Sequence, residues 1–232
     1  MRGLFVTGTD TGVGKTILSA ALVAAIAAES KPVRAFKPVV TGMDELSGTW
    51  PRDHELLAEM AGMTSEEVAP LRYDPAVSPH LAAAMAGERI DVARTIESAR
   101  ALAQEGVLIV EGVGGLLVPL TEDFSVRDLA VELGLPLLIA ARAGLGTINH
   151  TLLTLQAARA AGLQVCAVVL TPWPPRPSAM ERSNHDTIAR IGEVEVVGLT
   201  PVTADRNELA RAGSRLPWRQ WLAIQRRLPS QA

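Results

Sequence analysis

The sequence predicts an α/β fold in which a mostly parallel sheet is covered by helices on both faces. Six apolar, β-branched runs recur along the 232 residues, at 4–7, 33–36, 107–110, 137–140, 165–170 and 194–199. Helical patterns separate most of these runs, and strands that alternate with helices form parallel sheets. We therefore expect a single three-layer domain over residues 1–232, with 205–232 as its C-terminal helical tail.

Local signals predict where several elements end. Gly106 and Gly162 are C-terminal stops of helices, and Asn149 is the predicted N-cap of the helix that runs to Ala161. The segment 125–128, SVRD, has the pattern of a capping box. The proline cluster PWPPRP at 172–177 follows a strand and is expected to form a stiff loop, in which Trp173 covers the sheet edge or stacks on a base.

The first strand leads into a glycine-rich segment, GTDTGVGKT at 8–16, that predicts a phosphate-binding loop. The general pattern requires glycine at position 9, where the chain has Thr9. Gly12 and Gly14 nonetheless let the backbone N–H groups turn toward an anion at the start of the next helix. An incidental lysine in a glycine-rich turn is the alternative interpretation. The predicted nucleotide-binding residues of this loop are Thr11, Gly12, Val13, Gly14, Lys15 and Thr16.

Acidic residues after other elements predict a magnesium site beside this loop. Glu111 ends the strand-like run 107–110, and the C-terminal ends of parallel strands are where ligands of such sheets bind. Mg²⁺ prefers hard oxygen ligands in octahedral array, which Thr16, Glu111 and Asp53 offer. Asp53 also stands at the start of a helical pattern, so a simple N-cap is an equally open role for it.

Lys37 follows the strand-like run 33–36 and is expected to stand at the same edge. Only three of the 22 basic residues are lysines, namely Lys15, Lys31 and Lys37. A lysine in so arginine-rich a chain suggests a need for a compact point charge. A cation that faces a transferred phosphoryl group fits this position, and a solvated surface lysine is the alternative.

The composition excludes several classes of protein. A net charge of −3 provides no basic field for nucleic acid, and the longest apolar stretch, 17–28, is too short to cross a bilayer. With no leader before the first strand, we expect a cytoplasmic protein without membrane contact. Cys166 lies in an apolar run and is expected to be a small buried residue. The scattered histidines and the absence of H-E-x-x-H, C-x-x-C and G-x-S-x-G argue against metal and serine hydrolases.

Taken together, these segments resemble the dethiobiotin synthetase family along nearly the whole chain. The opening FVTGTDTGVGKT is the variant of the phosphate loop that this family uses, which accounts for Thr9. Further matches are KPVVTG at 37–42, SPHLAAAMAG at 78–87, VEGVGGLLVPL at 110–120 and GLGTINHTLLTLQAA at 144–158. The related partitioning ATPases carry an extra lysine five residues before the loop lysine, where this chain has Asp10.

The resemblance implies a cyclo-ligase that closes 7,8-diaminopelargonic acid with CO₂ to dethiobiotin, at the expense of ATP and with Mg²⁺. It implies that Lys15 and Lys37 are catalytic, that Thr16, Asp53 and Glu111 hold the metal, and that a second subunit supplies part of the substrate site. The protein is then a homodimer. The substrate residues implied are Thr41, Gly114, Gly146 and Asn149.

The chain departs from many members of that family at Thr171-Pro172, where the better-known members have Asn-Asp after the corresponding strand. Threonine lacks the paired donor and acceptor of an amide, so we expect only modest selection for adenine here.

Two other functions stay open on the sequence. One is a nucleotide-driven switch of the partitioning or membrane-cycling kind, supported by the basic, amphipathic segment 218–228. Packing of that segment against its own domain is the competing interpretation. The other is a phosphate-loop kinase for an unrelated metabolite.

Overall fold

The structure of the protein is a computed structural model that describes residues 1–45 and 48–224. Its strands are β1 (Gly3–Gly8), β2 (Val33–Phe36), β3 (Val39–Thr41), β4 (Leu71–Tyr73), β5 (Val107–Glu111), β6 (Leu137–Ala141), β7 (Val165–Leu170) and β8 (Glu195–Gly198). Its helices are α1 (Lys15–Ala28), α2 (Asp53–Ala61), α3 (Ser65–Val68), α4 (Pro79–Met85), α5 (Val92–Glu105), α6 (Val126–Leu133), α7 (Thr147–Ala160), α8 (Ala179–Gly192), α9 (Arg206–Ser214) and α10 (Trp218–Ala223).

The main sheet has six strands in the order β2-β5-β1-β6-β7-β8, and every pair is parallel. All six strands predicted from the sequence are therefore confirmed. β1 lies at the centre, with Val6 opposite Glu111 of β5 and Gly8 opposite Ala140 of β6. This register brings the loop after β1 between the loops after β5 and β6.

Alternate residues of the strands face opposite layers of helices. Leu4 and Val6 of β1 pack in a cluster with α1, α2, α9 and α10, whereas Phe5 packs in a second cluster with α5 to α8. Because both faces of the sheet are covered, its strands are mainly apolar, which is the pattern of a buried parallel sheet. The predicted three-layer α/β fold is confirmed.

A second, two-stranded sheet was not predicted. β3 and β4 pair in parallel, with Thr41 opposite Tyr73. Each strand has only three residues, too few for the alternation that identifies a strand in sequence. β3 begins directly after Lys37-Pro38 and ends at Thr41, so this small sheet determines the position of Thr41 relative to Lys37.

The helix ends follow most of the local signals. Ser125 and Asp128 form the predicted capping box of α6, and Gly106 is the C-cap of α5. The N-cap prediction for Asn149 is wrong, because α7 begins at Thr147 after Gly146, which adopts a φ of 88°. The N-cap role for Asp53 is also wrong, since Arg52 caps α2 and Asp53 is the first helical residue.

The C-terminal segment packs against the domain as far as it is described. Trp218 and Trp221 of α10 are each 1% exposed, and the indole N–H of Trp221 donates to Glu195 at 2.8 Å. The apolar face of α10 is thus turned inward, and residues 225–228 of the predicted amphipathic segment lie outside the described residues. Within 1–45 and 48–224, every helix is too short or too polar to cross a membrane.

Candidate active site

A cavity of about 1030 Å³ lies along the C-terminal edge of the main sheet. Because all six strands are parallel, the loops that follow them converge on this edge. Each of these loops contributes to the wall of the cavity: Lys15 after β1, Lys37 after β2, Gly114 after β5, Arg142 after β6, Thr171 after β7 and Pro201 after β8.

The phosphate loop after β1 requires glycine at two positions. Gly12 and Gly14 have φ values of 68° and 90°, a left-handed conformation that other residues adopt at a cost. Gly14 is also the N-cap of α1, so the free N–H groups of this helix face the cavity. A Cβ atom at Gly14 would lie 2.5 Å from Cγ2 of Thr171, so Thr171 packs directly against the loop at this position.

Lys37 lies inside a cluster of charges. Its side chain is 4% exposed, and its ammonium donates to a carboxylate oxygen of Asp53 and to Oε1 of Glu111 at 2.7 Å. The hydroxyl of Thr16 donates to the same Glu111 oxygen at 2.8 Å. The structure thus joins residues from β5, α1, α2 and the β2–β3 connection, and the interpretation of Lys37 as a solvated surface lysine is wrong.

The pKa values in this cluster follow from burial and from the partners. Burial alone would lower the pKa of Lys37, but Glu111 and Asp53 more than offset it and hold the pKa well above its ordinary value. Burial would raise the pKa of Asp53, yet Lys37 holds it below its ordinary value. Both groups therefore stay charged at neutral pH.

Cys166 lies away from the site and is buried, as expected. Desolvation raises the pKa of its thiol to about 12, so the thiol stays neutral.

Lys15 differs from Lys37 because no carboxylate of the described residues contacts its ammonium, which donates to the backbone carbonyl of Asp10 at 2.8 Å. Desolvation lowers the pKa of Lys15 to about 8, although Glu111 raises it in part. Below that pKa the protein holds a buried ammonium for which a bound phosphate would be a strong partner.

We predict that nucleotide affinity falls as the pH rises through about 8, the pKa of Lys15 without ligand. A phosphate partner raises the pKa of this lysine, so binding takes up a proton above pH 8 and weakens by about tenfold per pH unit once the lysine is neutral. Isothermal calorimetry of ADP at pH 7, 8 and 9, in buffers of different ionisation enthalpy, measures both the affinity and the proton uptake. An affinity that does not change between pH 7 and 9 would contradict the prediction.

The residues beside Lys37 fit a magnesium ion that is bound together with nucleotide phosphates. Thr16, Asp53 and Glu111 offer a hydroxyl and two carboxylates, all hard oxygen donors. Oε2 of Glu111 is buried without a hydrogen-bond partner, as expected of an oxygen that serves a ligand. Among the described residues no cluster of three or more His, Cys, Asp or Glu side chains could hold a metal alone, so phosphate oxygens or water would have to complete the coordination.

The opposite end of the cavity is mainly apolar. Thr41 and Gly114, two of the predicted substrate residues, line it. The wall around them is formed by Trp50, Val77, Pro79, Val113 and Val118. An aliphatic chain would fit this wall, with polar groups directed toward Lys37.

The other two predicted substrate residues are not in the cavity of this chain. Gly146 and Asn149 are exposed at the start of α7, and neither lines the cavity wall. The family resemblance implies that this element serves a neighbouring subunit, a role that stays a prediction.

The part of the cavity beyond the phosphate loop is formed by Thr171, Pro172, Thr200, Pro201 and Val202. These described residues offer no side-chain amide for a base. Trp173 packs instead against Gly198 and His185, with its ring centroid 5.6 Å from that of His185. Its role in covering the sheet edge is confirmed, and base stacking by Trp173 is not supported.

Arg142 is a cavity residue that the sequence reading missed. No motif contains it, but the run 137–140 was predicted to be a strand, and the convergence of loops at the sheet edge applies to the residues that follow it. Its guanidinium lies 3.4 Å from the carbonyl oxygen of Thr11 and 3.5 Å from that of Gly12.

Comparison with known proteins agrees with this arrangement. A family profile described as an AAA domain matches residues 2–208. The curated ATP-dependent dethiobiotin synthetase BioD of Anaeromyxobacter dehalogenans (strain 2CP-C) is 43% identical over 215 residues, which cover 91% of this chain and 95% of that protein. The proteins of the same name from Bacillus licheniformis and Bacillus subtilis (strain 168) are 39% and 34% identical, and each alignment covers 88% of this chain and 88% or 89% of the relative.

Among solved structures, apo McdA of Cyanothece has a TM-score of 0.54 at 13% identity and covers 95% of each chain. That similarity extends to the fold alone. The curated relatives are far closer in sequence and nearly equal in length, and the chain therefore belongs to the dethiobiotin synthetase family.

Proposed function

We propose that the protein catalyses the ATP-dependent carboxylation and ring closure of 7,8-diaminopelargonic acid with CO₂ to dethiobiotin. The observation that carries this proposal is the Lys37 ammonium, buried between Asp53 and Glu111 and next to a phosphate loop. A charge held there can bring two anions together, and the apolar wall beyond it suits the hydrocarbon chain of the substrate.

The chemistry requires that charge. One substrate amine attacks CO₂ and loses a proton, which leaves a carbamate. A carbamate oxygen then attacks the terminal phosphorus of ATP, and ADP departs. The second amine attacks the carbonyl carbon of the resulting anhydride and loses a proton, the C–O bond to phosphate breaks, and a cyclic urea and inorganic phosphate form. Phosphorylation is needed because an oxide ion would otherwise have to leave.

Each step has residues to serve it. Lys15 and the free N–H groups at Gly12 and Gly14 bind the phosphates, and Lys37 neutralises the carbamate and the migrating phosphoryl group. Thr41 orients the substrate from β3. Thr16, Asp53 and Glu111 hold Mg²⁺, which supplies charge neutralisation at the phosphates when it is bound.

We further propose that the active enzyme is a homodimer. The segment that holds Gly146 and Asn149 also carries Leu145, which is 92% exposed, and Leu117 and Leu153 are exposed as well. Large apolar side chains in contact with water favour burial against another surface. A second copy would cover them and bring the N-terminus of α7 to its neighbour's substrate.

We also propose that the chain acts in the cytoplasm as one domain, with no role for nucleic acid or a membrane.

We predict weak discrimination between ATP and CTP. The described residues that line the base region are threonine, proline and valine side chains, which lack the paired N–H₂ donor and C=O acceptor with which an amide reads a base edge. The ratio of kcat/KM for the two nucleotides is expected to lie within about tenfold. Steady-state kinetics with each nucleotide measures it, and a hundredfold or greater preference for ATP would contradict the prediction.

The proposed reaction is tested with purified protein, diaminopelargonic acid, bicarbonate, Mg²⁺ and ATP. Dethiobiotin is detected by mass, and omission of bicarbonate is the control. Product that depends on both bicarbonate and nucleotide is the expected result. Nucleotide hydrolysis without a cyclic urea would overturn the proposal and favour a switch or an unrelated kinase.

The membrane-cycling alternative has lost its main support. It relied on the segment 218–228, whose two tryptophans are buried against the domain. A vesicle-sedimentation assay with and without nucleotide distinguishes it, and no sedimentation is expected.

A further inference from the structure

Arg142 is the cavity residue for which the proposed reaction has no assigned task. It follows β6, and Ala140 of that strand pairs with Gly8 of β1, so its side chain starts beside the phosphate loop. Its guanidinium extends to the carbonyl oxygens of Thr11 and Gly12. Among the described residues that line the cavity it is the only arginine.

The protein holds this guanidinium only weakly. Its two hydrogen bonds, at 3.4 and 3.5 Å, exceed the usual N–H···O range. In the part of the chain that the structure describes, no carboxylate lies within 4.0 Å of it. A guanidinium has five N–H donors, most of which remain available here. Such a group can turn into the cavity without breaking a strong contact.

Its position along the loop indicates which phosphate it reaches. Gly14, at one end of the loop, lies against Thr171 and the base region of the cavity. Thr11 lies at the other end of the loop and close to Gly114. A Cβ atom built at Gly114 would be 3.7 Å from the hydroxyl oxygen of Thr11. Gly114 belongs to the part of the wall proposed for the substrate. A nucleotide laid along the loop from the base region therefore presents its terminal phosphate near Thr11 and Gly12, within reach of Arg142.

An arginine adds something that the two lysines of the cavity lack. Neither Lys15 nor Lys37 offers a planar pair of donors. Arginine keeps its charge at every relevant pH, and its planar fork matches two phosphate oxygens. Negative charge on the terminal phosphoryl oxygens is what an arginine stabilises during phosphoryl transfer in other nucleotide-hydrolysing enzymes.

We propose that Arg142 is a catalytic residue whose guanidinium N–H groups donate hydrogen bonds to the terminal phosphoryl oxygens of the nucleotide bound to the same chain. It contacts that group in the bound triphosphate and stays with it as the phosphoryl moves to the carbamate oxygen. The proposal rests on the nucleotide-binding part of the proposed function, and it does not depend on which metabolite accepts the phosphoryl group.

The test compares two nucleotides that differ in the terminal phosphate. Arg142→Ala and Arg142→Lys are titrated in the presence of Mg²⁺ with ADP and with the non-hydrolysable ATP analogue that has an imido bridge between its last two phosphates. We expect Arg142→Ala to bind the analogue at least about tenfold more weakly and ADP within about threefold of the parent protein. Arg142→Lys keeps the charge but loses the fork, so its loss should be intermediate.

The matched control is Arg94→Ala, which removes an exposed arginine of α5. It should bind both nucleotides as the parent protein does. Equal weakening of ADP and analogue by Arg142→Ala would overturn the proposal and mean that Arg142 only supports the loop. No weakening of either would overturn it as well. Because these titrations need no diaminopelargonic acid, failure of the carboxylation assay alone would leave this result unaffected.

Discussion

Replacing Lys37 with glutamine is expected to abolish bicarbonate-dependent urea formation while nucleotide binding stays within a few-fold of the parent protein. Glutamine can still hydrogen-bond, but it cannot neutralise a carbamate that approaches a triphosphate. The repulsion of these anions then opposes the reaction, and loss of a charge aimed at the transition state lowers kcat by about a thousandfold or more. Dethiobiotin measured by mass and ADP affinity measured by calorimetry provide the two readouts.

The matched control is Lys31→Gln. Lys31 is exposed and pairs with Glu29 far from the cavity edge, so its loss should change neither readout. A Lys37→Gln protein that makes product within tenfold of the parent rate would contradict the role of Lys37. Loss of nucleotide binding in parallel with turnover would mean that the lysine acts on the nucleotide and not on the carbamate.

The stability of Lys37→Gln provides a second check. The substitution leaves Asp53 and the buried Glu111 next to each other without the ammonium between them. Two carboxylates without a cation repel, so the unfolding temperature should fall in metal-free buffer. Because Mg²⁺ could take up the same oxygens, its addition should raise that temperature more in the variant than in the parent protein.

The fold was predictable because each strand of the main sheet has a recognisable sequence pattern. The central strands of the main sheet are buried on both faces, whereas the edge strands β2 and β8 are partly exposed. All six are short, mainly apolar runs that stand out between helical patterns. β3 and β4 were missed because three residues of Val-Val-Thr or Leu-Arg-Tyr carry no period. Their pairing depends on residues about thirty positions apart, which no local pattern indicates.

The meeting of Lys15, Thr16 and Glu111 could be expected from topology alone, since the loops after parallel strands share one edge. The burial of Lys37 could not. It depends on α2, which brings Asp53 against the ammonium from a connection whose course the sequence leaves open. The same gap explains why the sequence left two roles open for Asp53, a helix cap and a metal ligand, because the surroundings of its side chain are set by that tertiary contact.

The prediction that Asn149 is an N-cap failed for a different reason. Asparagine is a good N-cap, but Gly146 three residues earlier can adopt the left-handed conformation that α7 starts from, and the helix begins there. Arg142 was overlooked because a lone arginine among nineteen has no distinguishing pattern. Its significance comes from the loop beside which β6 places it.

Replacing Glu111 with glutamine is expected to weaken metal binding and to lower kcat/KM by about a hundredfold or more. Glu111 is 0% exposed, and one of its oxygens accepts hydrogen bonds from both Thr16 and Lys37. Glutamine has nearly the same shape as glutamate, but it carries no charge. It also places an N–H₂ group at the position of Oε2, the glutamate oxygen that has no hydrogen-bond partner. Of the two carboxylates that contact the buried ammonium of Lys37 in the described part of the chain, Asp53 then remains as counter-charge.

Manganese binding to the ADP complex, followed by electron paramagnetic resonance, separates two roles that activity alone would merge. If Glu111 holds the metal, the variant should bind Mn²⁺ at least about tenfold more weakly than the parent protein. Glu105→Gln is the control, because this carboxylate is exposed and pairs with Arg34. A variant that loses turnover but binds Mn²⁺ normally would show that Glu111 only positions Lys37, and the metal would then have to rely on Thr16, Asp53 and the phosphates.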